Sequence, residues 1–163
     1  MKKVFFLSII CLMALTIHSG CTEGEYVDLG LPSGTKWKTT NEINPNVTND
    51  LYTYDEAIQK FGNQLPTSKQ WMELKTECDW SWNDIKKGYE VTGPNGKSIF
   101  MPAEGFRGCR GEVSPGGSSG YYWSYTSIGS DGAKILEFGP YMVYISISYR
   151  CFGHSVRLVH DQD

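Results

Sequence analysis

The chain has 163 residues, 40% hydrophobic and 20% charged, and a formal net charge of −3. That size and balance suit one ordinary globular domain. An acidic chain without a basic run excludes nucleic acid as the expected partner, and excludes charge-driven binding to an anionic membrane.

Lys2 and Lys3 open the chain as a positive segment, and Val4 to Ile17 follow as an apolar run too short to span a bilayer as a stable helix. We read residues 1–20 as a signal peptide. Ser19-Gly20-Cys21 resembles a bacterial lipoprotein cleavage site, although His18 stands where an aliphatic residue is usual. The resemblance implies a lipid on Cys21 and attachment to the outer membrane through it. Glu23 and Glu25 are similar to short signals that send lipoproteins to the outer face, so the expected location is the cell surface. Residues 21–25 then form a short linker and residues 26–163 a single domain. Cleavage removes two lysines and takes the net charge from −3 to −5. With Cys21 lipidated, Cys78, Cys109 and Cys151 allow at most one disulfide and leave one thiol over. Their spacing fits no zinc pattern, and only His154 and His160 offer imidazole ligands. No metal and no cofactor are expected.

Tyr26 to Trp37 reads as two short strands around a Pro32/Gly34 turn, and Thr39 to Asp50 as a polar loop. Thr53 with Glu56 is a capping box that predicts a helix to about Phe61, stopped at Gly62. Thr67 with Gln70 is a second box, opening a helix in which Trp71, Leu74 and Cys78 share a face. Cys78 to Asp84 is aromatic-rich and reads as irregular. Gly88–Val91 and Ser98–Met101 flank an Asn95-Gly96 turn, which predicts a hairpin. Pro102 to Gly120 is glycine-rich with little periodicity and reads as a long ordered loop, a feature usually tied to function.

The last third supplies the predicted strands Tyr121–Thr126, Lys134–Phe138, Met142–Tyr149 and Ser155–Val159. In the third, Val143, Ile145, Ile147 and Tyr149 fall on one face, and Tyr144, Ser146, Ser148 and Arg150 on the other. Tyrosine offers contact area at low entropic cost and serine adaptable hydrogen bonds, the composition of protein-binding paratopes. An ordinary half-buried strand would also be enriched in tyrosine.

Several stretches together carry a family resemblance: Tyr26–Trp37; Leu65-Pro66-Thr67 with Gln70-Trp71; Gly88-Tyr89 through Gly96; Ile99-Phe100; Gly105-Phe106-Arg107-Gly108; Tyr122-Trp123-Ser124; and Gly153–Val159. In their order and spacing these resemble the Fibrobacter succinogenes major paralogous domain of secreted bacterial lipoproteins. The resemblance implies an α+β, C-type lectin-like fold with two helices, small antiparallel sheets, paired terminal strands and long ligand-presenting loops. A family cysteine shortly after the first tryptophan is replaced in Trp37–Asn41, which leaves its usual partner, Cys78, unpaired. Trp82-Asn83-Asp84 is similar to a calcium-lectin signature but follows the second helix and lacks its companion motif, so calcium-dependent sugar binding is not expected. The end of the chain also resembles target proteins of diversity-generating retroelements. From Gly139 to Ser155 only Met142 lies outside the residues that randomised asparagine codons can encode.

Nucleophilic chemistry is poorly served. Cys151 and His154 are three apart in sequence, which places them on opposite faces of a strand. The main enzyme alternative, the formylglycine-generating branch of the fold, needs two cysteines on copper. Cys109 and Cys151 fit that pair or a disulfide tying the long loop to the late strands, and the compartment favours the disulfide. The sequence therefore reads as a binding lipoprotein rather than an enzyme, for a protein or glycan ligand on another cell or host surface. A structural adhesin subunit is the other alternative. The expected ligand-facing residues are Tyr125, Tyr141, Tyr144, Ser146, Ser148, Tyr149 and Phe152.

Overall fold

A computed structural model describes residues 26–47 and 49–161. The expected signal peptide, the lipid expected on Cys21 and the expected linker fall outside the described residues. The architecture is α+β, with two helices and small antiparallel sheets.

Both helices start where their capping boxes place them. Helix α1 (Tyr54–Phe61) has Thr53 Oγ1 accepting from Glu56 N–H, while the Glu56 carboxylate accepts from Thr53 N–H at 2.7 Å. In α2 (Ser68–Glu77), Thr67 and Gln70 exchange the same pair of bonds, at 3.2 and 2.8 Å. These reciprocal bonds satisfy donors that a helix start leaves open. Trp71 and Leu74 form the buried face of α2. Cys78, the residue after the helix, is a free buried cysteine.

Strands β1 (Tyr26–Asp28) and β2 (Lys36–Lys38) pair antiparallel, and β2 also takes the last strand, β11 (Val159–His160). The second sheet comprises β3 (Asp79–Asn83), β4 (Gly88–Thr92) and β5 (Ser98–Pro102). Here the structure corrects the reading of Cys78–Asp84 as irregular. Trp80 and Trp82 alternate with polar residues and pair with Val91 and Tyr89. The glycine-rich stretch is not all loop, since β6 (Phe106–Arg107) pairs with β7 (Val113–Ser114) inside it. A disulfide between Cys109 and Cys151, Cα atoms 5.0 Å apart, ties this stretch to the late strands.

The third sheet has the order β10-β9-β8, from β8 (Gly120–Ile128), β9 (Gly132–Gly139) and β10 (Met142–Tyr149). Each of its faces meets a separate hydrophobic cluster. Tyr122, Leu136 and Phe138 face the cluster that holds Trp37, Trp71, Leu74 and Val91, with Val143 and Ile145 packed against it. Trp123, Ala133 and Ile135 face the other, with Tyr52, Tyr54, Ala57 and Val156. Burying each large side chain here contributes about 1.5–3 kcal/mol. Gly120 is required at its position, because a Cβ there would strike the Phe138 ring. The predicted strand Ser155–Val159 is also corrected. Ser155 bridges Tyr122 in parallel, whereas Val159 pairs with Trp37 antiparallel, so the segment changes partners partway and is not one strand.

Candidate ligand-binding face

The two-residue connection Pro140-Tyr141 sets the register of β10 on β9, from Met142 opposite Gly139 to Tyr149 opposite Gly132. That register forms three cross-strand rows on one face of the sheet. Tyr144 lies beside Glu137 and, beyond it, Tyr121; Ser146 beside Ile135 and Trp123; Ser148 beside Ala133. The Glu137 carboxylate accepts from the Tyr144 hydroxyl, and that bond, with burial and the carboxylate charge, pushes the phenol up to about 12. Burial and the same carboxylate also raise Tyr121.

Ser148 shares a 2.7 Å hydrogen bond with His154 Nε2. The His154 ring is stacked at 5.5 Å on Tyr121 and at 6.1 Å on Phe152, and lies 4.4 Å from Trp123. Phe106 closes the group, 5.3 Å from Tyr121 and 5.7 Å from Phe152. Tyr121, Phe106 and Phe152 are half-buried. Phe106, Tyr121, Glu137 and His154 were not among the sequence candidates. Their neighbourhood depends on the β8–β9 register and on the bridge between Tyr52 and His154, neither of which leaves a local signal.

A serine bonded to a histidine has the outline of a nucleophile and its base. The environment opposes that use. Desolvation pushes the buried His154 down to about 3, and its Nδ1 has no hydrogen-bond partner among the described residues. So depressed an imidazole is a weak base at neutral pH, and the bond positions Ser148. Cys151 is held by its disulfide and takes no part. Buried Cys78 has its thiol pushed up to about 11 by burial, first, and then by neighbouring carboxylates, which makes it a poor nucleophile.

The structure separates the seven candidates. Tyr144, Ser146 and Ser148 line one face, and Phe152 joins them through His154. Tyr149 lies at the edge of this group, 6.4 Å from Phe152, and points to the opposite face. It is 67% exposed and stands between two depressions. One, of about 460 Å³, is lined by Ile128–Gly132, Ile147 and Ser148 as well; the other, of about 440 Å³, by Thr53, Asp55, Ser130, Asp131 and Arg150. Arg150 holds the wall between them. Its guanidinium donates to the Gly129 and Gly132 carbonyls and lies over the Tyr54 ring at 4.9 Å. Tyr141 is not brought to this group. It sits at the tip of the β9–β10 connection, about 23 Å from Ser148 at strand rise. Tyr125 lies within the β8 bulge, where its N–H donates to Pro66 O and its carbonyl accepts from the Tyr54 hydroxyl. Asn83 and Asp84, the calcium-like pair, hold a turn: Asn83 Oδ1 accepts from Ile85 and Lys86 N–H, and Asp84 accepts from Trp82.

The segment Gly153–Val159 does different work. Arg157, 1% exposed, donates to Asn41 Oδ1 and to the carbonyls of Lys38, Thr39 and Phe100. Asn41 in turn donates to Glu104, which also accepts from Ser155 at 2.6 Å. A buried guanidinium satisfied by fixed carbonyls locks Gly153–Val159 to the stretch at and after β2 and to β5.

No family model, curated protein or solved structure matches the chain.

Proposed function

We propose that the chain is a lipid-anchored ligand-binding protein of the outer membrane, with a C-type lectin-like domain, and that it belongs with the Fibrobacter succinogenes major paralogous lipoproteins. The observation that carries the reading is the row Tyr144, Ser146 and Ser148 on β10. An exposed tyrosine and two half-buried hydroxyl groups lie there on a sheet that meets a hydrophobic cluster on each face, and a hydrogen bond to His154 holds one of the hydroxyls in place. A rigid support with short polar side chains and tyrosines lowers the entropy lost on binding. The ligand is a protein or glycan presented by another cell or by a host. Within Gly139–Ser155, the exposed side chains that randomised asparagine codons can encode and that are free to vary are Tyr141, Tyr144, Ile147 and Tyr149.

The test is a glycan and protein array probed with the chain, then with Tyr144→Ala and Tyr149→Ala. Binding lost in both variants supports the site, and binding intact in both overturns it. Lipid attachment is tested by labelled palmitate, which should enter the chain and be excluded by Cys21→Ser.

A further inference from the structure

The third sheet ends differently on its two sides. Along β8 the chain closes its own edge: Trp123 N–H donates to Ser155 O at 3.1 Å, Ser155 N–H to Tyr121 O at 2.9 Å, and Tyr125 N–H to Pro66 O at 2.8 Å. The other side is β10. Arg150 N–H donates to Asp131 O at 2.9 Å, which continues the β10–β9 register by one pair and sets its phase. Even-numbered residues of β10 therefore bond to β9, and Val143, Ile145 and Ile147 direct their N–H and C=O groups away from the sheet. Among the described residues these groups have no backbone partner beyond the sheet. Edges of this kind are normally blunted by charge, proline or a bulge. Strand β3, at the edge of the second sheet, carries Asp79 and runs into Asp84. Met142–Tyr149 holds no charged residue and no proline, and its register on β9 is unbroken.

We infer that β10 pairs antiparallel with β10 of a second copy, about a two-fold axis through Ser146, joining two sheets into one. Such an axis keeps each face with its own kind, so opposed residues must share parity. Centred on Ser146, Ile145 opposes Ile147 and Val143 opposes Tyr149 on one face. On the other, Tyr144 opposes Ser148 and Ser146 opposes its own copy. The residues with outward backbone groups become the hydrogen-bonded pairs, apolar groups meet apolar or aromatic ones, and no like charges meet. The exposed Ile147 and Tyr149, 54% and 67% accessible, gain partners. A second copy is the occupant because the strand is complementary to itself in this register. The pairing uses the edge of β10 and not its faces, so it does not depend on the proposed ligand. It sets two Tyr144/Ser148 rows side by side.

Sedimentation equilibrium of the full chain tests this, with Ser146→Lys and Ser146→Cys. The chain should sediment as a dimer, and Ser146→Lys, which opposes two ammonium groups on the axis, should weaken association at least tenfold. Opposed residues of a non-hydrogen-bonded pair lie about 4.5 Å apart at Cα, within reach of a disulfide. Mild oxidation should therefore link Ser146→Cys to its copy, shown by peptide mapping, and link Tyr144→Cys far less. A monomer at every concentration with no Ser146→Cys link overturns the inference. So does a dimer indifferent to Ser146→Lys, or a monomer whose β10 is captured by another protein's strand.

Discussion

Strand β10 and the segment Gly153–Val159 are separated only by Arg150, Cys151 and Phe152, and they end in opposite surroundings. Every residue from Gly153 to Val159 is buried, and none from Met142 to Tyr149 is. Composition does not explain this. The buried segment carries His154, Ser155 and Arg157, while the exposed one carries Val143, Ile145 and Ile147. Position explains it. Gly153–Val159 runs between β2, β8 and the bridge at Tyr52, each of which accepts or donates a backbone bond. β10 has a neighbour on one side only. Polar groups are buried where bonds are available for them, whereas at the end of the sheet Val143 and Ile145 are only half-buried and Ile147 stays exposed.

The contrast can be broken most severely at Arg157. Replacing it with methionine leaves Asn41 Oδ1 and the Lys38, Thr39 and Phe100 carbonyls without the guanidinium, and should cost on the order of 5 kcal/mol in denaturant unfolding. Removing the cross-link between the two regions comes next. With 42 residues separating Cys109 from Cys151, the double serine variant should lose roughly 4 kcal/mol by the chain-entropy relation.

Acid should act through His154. Its folded pKa of about 3 lies below the ordinary 6.5, so between these values the unfolded chain binds a proton that the folded chain does not. Stability should be complete above about pH 6.5 and fall with pH by about 1.4 kcal/mol per unit, on the order of 3 kcal/mol by pH 4. His154→Gln should flatten that part of the pH profile, and an unchanged slope would refute the assignment.

β10 should respond much less. Tyr144→Ala and Tyr149→Ala should each change stability by about 0.5 kcal/mol or less, as exposed sites do, while altering ligand binding. The smallest expected effect is local. Glu137→Gln should bring the Tyr144 phenol down from about 12 toward its free value, read as the difference in alkaline absorbance between each chain and its Tyr144→Phe variant.

Where structure depends on neighbours in sequence, it was legible. Thr53/Glu56 and Thr67/Gln70 mark both helix starts, because a cap bonds within its own turn. Asn95-Gly96 marks the β4–β5 turn, and the residue limits of β10 were legible from its uninterrupted β-type run. The strand at Asp79–Asn83 was missed although Trp80 and Trp82 alternate with polar residues. The change of partner within Ser155–Val159 has no local signature.

The candidate site was legible in half. Tyr144, Ser146 and Ser148 share a face because strand side chains alternate, which holds for any strand. Tyr141 and Tyr125 resemble them in type, and only the folded chain places one at a hairpin tip and the other in a bulge. Phe106, Tyr121, Glu137 and His154 enter the face through register and long-range bridges.

By itself the sequence determined the helix starts, the hairpin turns, the two-faced pattern of β10 and the acidic balance of the chain. All of these arise from bonds and periods spanning a few residues. Which face of β10 meets the core along its length, which edge of the sheet stays open, and which polar residues become buried were decided by the tertiary structure. Those outcomes depend on what lies across the sheet, and residues far apart in sequence supply it.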